Sequence, residues 1–367
     1  MSDTPRPDVP PAFGAHEPYP APVSRPAARA SGDDVLPPVE PPSARFIIQL
    51  FVVPAIIVML VVAVWIGVTW LVRQTTMQPK DLIAGLETAS VARWQRASEL
   101  ADLLRNERFQ EFRHDETAAN QLAAILDREV AAAEGGKKMD EEAVMLRYFL
   151  ARSLGEFEVD AGTESLLAAA KTNRDPKEAL VRRGALQAIA VRAYNLSQLD
   201  PPRALSDPQV EPTLFELAAD ENPLVRSETG FALGQIGTAT ALAQLEKMLV
   251  DPHADTRYNA AIALAQHGNA AAIPTLAEML DPEEMSSVRE EPNEAAQFSK
   301  RSLIVTNALE KVEQLHEEQP DADFGPVVEV LEVIIAAKPA ALKEARLHET
   351  VVPRAKEVLK KLQPDSD

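Results

Sequence analysis

The residues able to do chemistry are few and scattered. Six histidines could serve as bases or metal ligands: His16, His114, His253, His267, His316 and His348. A helical metal site usually needs two of them three or four residues apart, and no two stand so. His267 occupies an apolar slot of a repeated pattern and reads as partly buried packing, while His253 falls in an exposed turn. The chain has no cysteine, which removes disulfides, thiolate nucleophiles and cysteine-ligated zinc. It contains no G-x-x-x-x-G-K-S/T phosphate loop, no G-x-S-x-G elbow, no H-E-x-x-H and no dinucleotide fingerprint. Carboxylates cluster as "DEE" at 140–142 and "REEPNE" at 289–294. Without the pattern of a rigid ligand loop they read as solvated faces. No catalytic, cofactor-binding or metal-binding residue emerges, so the chain reads as a non-enzyme without a cofactor.

The elements that would position such residues are more informative. "NPLVRSETGFALGQIG" at 222–237 recurs 31 residues later as "HADTRYNAAIALAQHG" at 253–268. Arg226 aligns with Arg257, Leu233 with Leu264, and Gly237 with Gly268. Upstream, Leu214, Leu217 and Asp220 align with Leu245, Met248 and Asp251. Each copy predicts a short apolar helix, a turn rich in Asp, Asn and Pro, and a second helix. In the turn, Asn or Asp can cap the next helix and Pro fits its first position. The second helix has an apolar stripe at Val225, Thr229, Leu233 and Ile236, or at Thr256, Ala260, Leu264 and His267. Gly237 and Gly268 stand where a left-handed residue ends a helix.

Related stretches flank this pair. Residues 164–194 carry Asp175-Pro176 and Val181-Arg182 at the turn, and "IPTLAEMLDP" at 273–282 repeats the first helix. Its second helix is expected at 300–312, beyond an acidic insertion at 283–299 that could project and bind. A more divergent pair at 326–362, "PVVEVLEVIIAA" and a polar helix ending "RAKEVLKKL", would close the array, the polar final helix capping it against water. Nearer the N-terminus, "DLIAGLETASVARWQRASELADLL" keeps helical spacing from Leu82 to Leu104. Further helices are expected at 117–133 and 141–154.

The remaining segments differ in kind. Twelve of the 29 prolines lie in the first 44 residues, a composition unable to bury enough apolar surface to order itself. Residues 46–72, "FIIQLFVVPAIIVMLVVAVWIGVTWLV", contain no charge, and only Gln49 and Thr69 are polar. That length of helix exceeds the roughly 30 Å hydrocarbon core. It reads as a permanent single-pass anchor. Arg25, Arg29 and Arg45 precede it and Arg73 and Lys80 follow, a slight lean toward a cytoplasmic tail with the body on the other side. The net charge is −19, most of it beyond Arg45, which excludes a nucleic-acid partner because such binding rests on Lys and Arg meeting phosphates.

The D-x-x-x-x-(V/T)-R-x-x-A-x-x-A-L-x-x-x-G arrangement at 211–268 resembles HEAT repeats of the short, bacterial, phycobilisome-lyase-like type. The resemblance implies antiparallel helix pairs stacked into a curved right-handed solenoid. It also implies a ladder between repeats of turn Asp and second-helix Arg. By position these are Asp220 with Arg226 and Asp251 with Arg257, while Asp175 with Arg182 departs from the spacing by one residue.

The expected fold is therefore all-α, a HEAT-like α-solenoid preceded by a disordered tail and one transmembrane helix. Its parts are the tail at 1–44, the span at 45–73, a helical N-terminal part of the solenoid at 80–160, repeats at 161–312 and a C-terminal helical cap at 313–363. The expected function is a membrane-anchored scaffold or adaptor for a protein partner. Ser227, Glu228, Tyr258 and Asn259 are expected to face outward and line the partner surface. An alternative, implied by the resemblance alone, is a lyase or isomerase acting on a chromophore-carrying protein.

Overall fold

The computed structural model describes residues 43, 45, 48–75, 78–88, 92–134, 140–284, 286–336 and 345–363. The expected disordered tail therefore lies outside the described residues, apart from Ser43. The chain divides into two compact units, Met1–Thr75 and Thr76–Asp367.

The first unit is built on α1 (Val53–Thr75). A π-helical turn at Ile48–Val52 runs directly into it. Pro54 lacks the amide a helix needs, and a wider turn on its N-terminal side lets neighbouring backbone groups re-pair. Ile48–Val68 has a mean hydropathy of 2.9 with none of it buried, and among the described residues it is the one helix long and apolar enough to cross a membrane.

Helices are the only regular elements among the described residues of the second unit, and they form a row of two-helix hairpins. These are α2 (Pro79–Glu87) with α3 (Arg93–Leu104), α4 (Glu116–Glu134) with α5 (Glu141–Gly155), and α6 (Thr163–Ala170) with α7 (Ala179–Ser197). There follow α8 (Val210–Leu217) with α9 (Pro223–Ile236), α10 (Ala239–Met248) with α11 (Ala254–Gln266), α12 (Ile273–Leu280) with α13 (Glu294–Glu318), and α14 (Gly325–Ala336) with α15 (Ala345–Leu362). Each second helix packs on its own first helix and on the second helices before and after it. First helices such as α6 and α8 have eight residues each, too few to hold alone in water, so burial against neighbours must hold them.

Local sequence explains the hairpins. Asn222 accepts the amide of Leu224 at 2.9 Å and Pro223 begins α9. Gly237 and Gly268 close α9 and α11 at φ +65° and +66°, as the spacing predicts. Leu214, Leu217, Leu245, Met248, Val225, Thr229, Leu233, Thr256, Ala260 and Leu264 are all buried. Ile236 is half-buried. His267, in the slot equivalent to it, stays exposed rather than packing inward. Its Nε2 lies 2.8 Å from the Gly234 carbonyl.

Two boundaries differ from expectation. The helical spacing from Leu82 to Leu104 is broken into α2 and α3. Arg93 donates to the Leu86 carbonyl at 2.8 Å and Arg96 to that of Gly85 at 2.9 Å, which ties the start of α3 to the end of α2. The second helix after the insertion begins at Glu294 rather than 300, because Asn293 caps the amide of Ala296 at 2.9 Å.

Small residues set the spacing of the second-helix layer. A Cβ added at Gly155 would lie 2.5 Å from the Ala188 Cα, and one at Gly234 would lie 2.5 Å from the Ala263 Cβ. At these crossings α5 meets α7 and α9 meets α11 almost backbone to backbone.

Candidate functional site

The repeated arginines organise the body. Arg226 donates Nη1 to its own turn, the Asp220 carbonyl, at 2.9 Å. Its Nε and Nη2 meet both oxygens of Asp251, in the next repeat, at 2.7 and 2.9 Å. Arg257 repeats the geometry, with Nη1 on the Asp251 carbonyl at 2.7 Å and Nε on Glu278 of α12 at 3.2 Å. The expected pairs therefore need correction. Asp220 with Arg226 and Asp251 with Arg257 are carbonyl contacts inside a repeat, whereas the carboxylate each arginine grips lies one repeat further on. The reason is reach. The guanidinium fork spans the gap between hairpins, so one edge can hold its own turn while the other holds the neighbour's.

The same pattern runs upstream. Arg182, whose spacing from Asp175 is irregular, is a full member, with Nε 3.0 Å from Asp220 and Nη1 on the Thr172 carbonyl at 2.8 Å. Asp175 instead caps the Lys177 amide at 2.9 Å. Arg147 meets Glu178 at 2.8 Å with both side chains buried. Arg93 reaches Glu129 of α4 at 2.7 Å. Sequence reasoning missed Arg147 and Arg93 because their acidic partners are glutamates rather than the turn aspartate, Glu178 three residues past Asp175 and Glu129 within α4. An arginine in the first turn of a second helix was the available signal for Arg93, whereas Arg147 lies in the middle of α5 and had none.

Electrostatics follow the geometry. Burial works to raise the Asp251 carboxyl, but the Arg226 hydrogen bonds and the His253 amide outweigh it and hold the group below the usual carboxylate range. Glu178 is treated alike, with burial overcome by the Arg174 amide and by Arg147. Hydrogen bonding to Asp251 raises Arg226 in turn. Arg192 is different. It is fully buried and donates to the Leu154 carbonyl and the Thr163 hydroxyl, and burial lowers it to about 10.

The four residues expected to form an outward partner surface do not face outward. Ser227 and Tyr258 are buried, and Glu228 and Asn259 are half-buried. Asn259 donates to the Ser227 carbonyl and hydroxyl at 3.1 and 3.0 Å. Glu228 accepts from Gln187 at 2.7 Å and Arg183 at 3.2 Å. These positions immediately follow the ladder arginine, on the flank of a helix that has a neighbour on each side. They fasten α7 to α9 and α9 to α11. Burial also pushes the Tyr258 hydroxyl far above its ordinary value.

The open face of the layer is a narrow stripe further along each helix. The residues five positions past Arg147, Arg182, Arg226 and Arg257 are Arg152, Gln187, Phe231 and Ile262, all exposed or half-exposed. Phe231 and, about two turns further along the same face of α7 than Gln187, Tyr194 show 41% and 53% of their surface, unusual for aromatic rings in a water-facing layer. At the α3–α5–α7 end the stripe deepens into a cavity of about 300 Å³ lined by Arg105, Tyr148, Arg152, Glu156, Gln187, Ala188 and Val191.

The acidic insertion is not a projecting arm. Val288 is buried, Ser287 bonds Asp255, and Lys300 joins Asp255 at 2.9 Å to Glu291 at 3.1 Å. It lies against the start of α11. Among the described residues no group of three or more His, Asp or Glu could hold a metal ion.

No curated protein matches the chain. Among solved structures, it is similar to a crystal structure of an engineered protein at 16% identity and a TM-score of 0.33, over 77% of this chain and 98% of that one. A family model described as HEAT repeats matches at residues 181–255 and 211–296. Those stretches run from α7 through α11 and into the insertion, where the arginine ladder is most regular. The second unit is an α-solenoid carrying HEAT repeats.

Proposed function

We propose that this chain is a membrane-anchored adaptor whose solenoid holds a protein partner beside the bilayer. The observation that carries the reading is the open stripe on the second helices. It runs along the repeats on the side away from the first helices and, with the same face of α7 beyond it, displays Phe231 and Tyr194 to water. Solenoids of this kind offer long surfaces without a deep reaction chamber. The uncharged helix at Ile48–Val68 supplies the anchor, which raises the local concentration of the solenoid near a membrane partner. The excess of Arg25, Arg29 and Arg45 over Arg73 and Lys80 favours a cytoplasmic tail with the solenoid on the other side.

The test fuses a proximity-labelling enzyme to the C-terminus of the full chain, beside a control bearing the tail and span alone. The full chain should resist alkaline carbonate extraction, and Val58→Arg, Val61→Arg and Val64→Arg together should release it, since each cation at mid-span costs about 2.5–3.5 kcal/mol. The full chain should also label a protein set that the control does not. Extraction of the unaltered chain, or identical labelled sets, would refute the adaptor.

A further inference from the structure

We infer that the cavity between α3, α5 and α7 reads an acidic side chain of the protein partner, with Arg152 as the reading group. The inference rests on the adaptor reading and names the chemistry its surface selects.

Nearly every arginine of the second-helix layer has a carboxylate or a set of carbonyls. Arg105 has Glu156 at 3.0 Å, Arg183 has Glu228 at 3.2 Å, and the ladder arginines have the partners given above. Arg152 stands apart. Its guanidinium meets the Tyr148 hydroxyl at 3.3 Å and lies 5.7 Å from the same ring, and among the described residues no carboxylate pairs with it. The equivalent position is uncharged in Gln187, Phe231 and Ile262, and whereas Gln187 bonds Glu228 on the next second helix, the hydrogen bond of Arg152 goes to Tyr148 on its own helix. Of the two guanidinia that line the cavity, Arg105 is paired with Glu156 at 3.0 Å and Asp102 at 3.7 Å, and Glu228 beside Gln187 is paired with Arg183. This leaves Arg152 as the lining cation with no carboxylate partner among the described residues. A carboxylate entering beside Arg152 would balance the charge and take up donors that now face solvent.

The floor is rigid. The Tyr148 ring is pressed against Gly184, where an added Cβ would come within 2.5 Å of it. It also meets Phe149 edge-on at 5.0 Å between centroids. Arg152 is thus held over a fixed aromatic surface, and little ordering entropy is lost on binding. Val191 on the cavity wall and Tyr194 one turn beyond it, together with Phe231 on the next helix, extend the site with apolar surface. The ligand that fits is a segment carrying Asp or Glu flanked by apolar residues. Long anionic polymers are disfavoured by the net charge of −19. A single carboxylate escapes that field, because salt screens charges beyond about 8 Å in physiological buffer.

The experiment displays random linear peptides on phage and selects them on the full chain in nanodiscs. Binders should be enriched in Asp or Glu next to apolar residues. A binder should lose about ten- to a hundredfold in affinity on Arg152→Gln, the loss of one charge-assisted contact. Replacing its acid by the matching amide should cost the same, and Arg152→Glu should prefer a peptide with Lys at that place. Arg354→Gln, at the far end of the row where Arg354 pairs with Glu357 at 2.9 Å, should leave binding unchanged. Binders without acids, binders indifferent to Arg152, or no binders at all would each overturn the cavity assignment. The adaptor reading is decided separately by the labelled neighbours of the full chain.

Discussion

Cutting one rung of the ladder should loosen the row locally, and the Arg147–Glu178 rung allows the cost to be worked out. The two groups are 2.8 Å apart with 1% and 0% of their side chains exposed, and Glu178 also accepts the Arg174 amide at 2.7 Å. Arg147→Met keeps most of the volume but strands a buried carboxylate, a loss of about 3–5 kcal/mol. Glu178→Gln keeps an acceptor for Arg174 yet strands the guanidinium, at similar cost. The double variant strands neither charge. What remains is an imperfectly paired amide, about 1–3 kcal/mol. The two single losses should therefore fall well short of adding, with a coupling of at least about 2 kcal/mol. Because a repeat array need not unfold in one step, the assay is hydrogen exchange read by mass spectrometry on the full chain. Peptides of α5, α6 and α7 should open on the order of a hundred- to a thousandfold more often in Arg147→Met, and far less so in the double variant. Peptides of α13 to α15 should keep their protection. Additive losses, or loosening spread evenly over the row, would show that the rung does not fasten neighbour to neighbour.

The ladder should also give stability a defined dependence on acid. Asp251 and Glu178 are held below the usual carboxylate range, so as pH falls the unfolded chain takes up protons first. Their contribution is complete above the unfolded carboxylate range near pH 4 and is lost as pH falls through the lowered folded values. Asp251→Asn should thus unfold in less urea than the parent at pH 7, and the gap should close as pH drops below about 4. Glycine spacing gives a paired comparison by the same urea titration. Gly155→Ala pushes a methyl into the Ala188 backbone at 2.5 Å and should cost about 1–3 kcal/mol. Gly230→Ala meets first the flexible end of Met248 at 3.3 Å, so the helix-propensity gain of up to about 1 kcal/mol should leave it neutral or more stable.

The helix pairs could be read from the sequence because their causes are local. Asn222, Pro223 and Gly237 act within a few residues of themselves, and apolar spacing names the stripe that faces the first helix. Contacts between repeats are another matter. A sequence offset shows that Asp220 and Asp251 are equivalent, but equivalence alone leaves open whether Arg226 grips the carboxylate of its own turn or that of the next. Distance in three dimensions decides it for Asp251. The early hairpins were harder still, since Glu129 and Glu178 replace the turn aspartate and the polar stretch after Leu86 hides a bend within a regular apolar period.

The misplaced partner surface follows from the same geometry. In an isolated amphipathic helix, whatever lies off the apolar stripe faces water, and Ser227, Glu228, Tyr258 and Asn259 lie off it. A second helix in this row has three neighbours rather than one, so both flanks are consumed and only the stripe opposite the first helix stays open. Stacking keeps an arginine at the same place in successive rungs, at Arg147, Arg182, Arg226 and Arg257, while the flank residues beside it vary with the neighbour they meet. Along the open stripe the residues diverge from repeat to repeat, as Arg152, Gln187, Phe231 and Ile262 do, and of these Gln187 also bonds Glu228 on the next second helix. In a protein built by repetition, the positions that fail to repeat while remaining exposed are those left free to recognise something outside the chain. The single unpaired cation among them is the place where that recognition would be chemically specific.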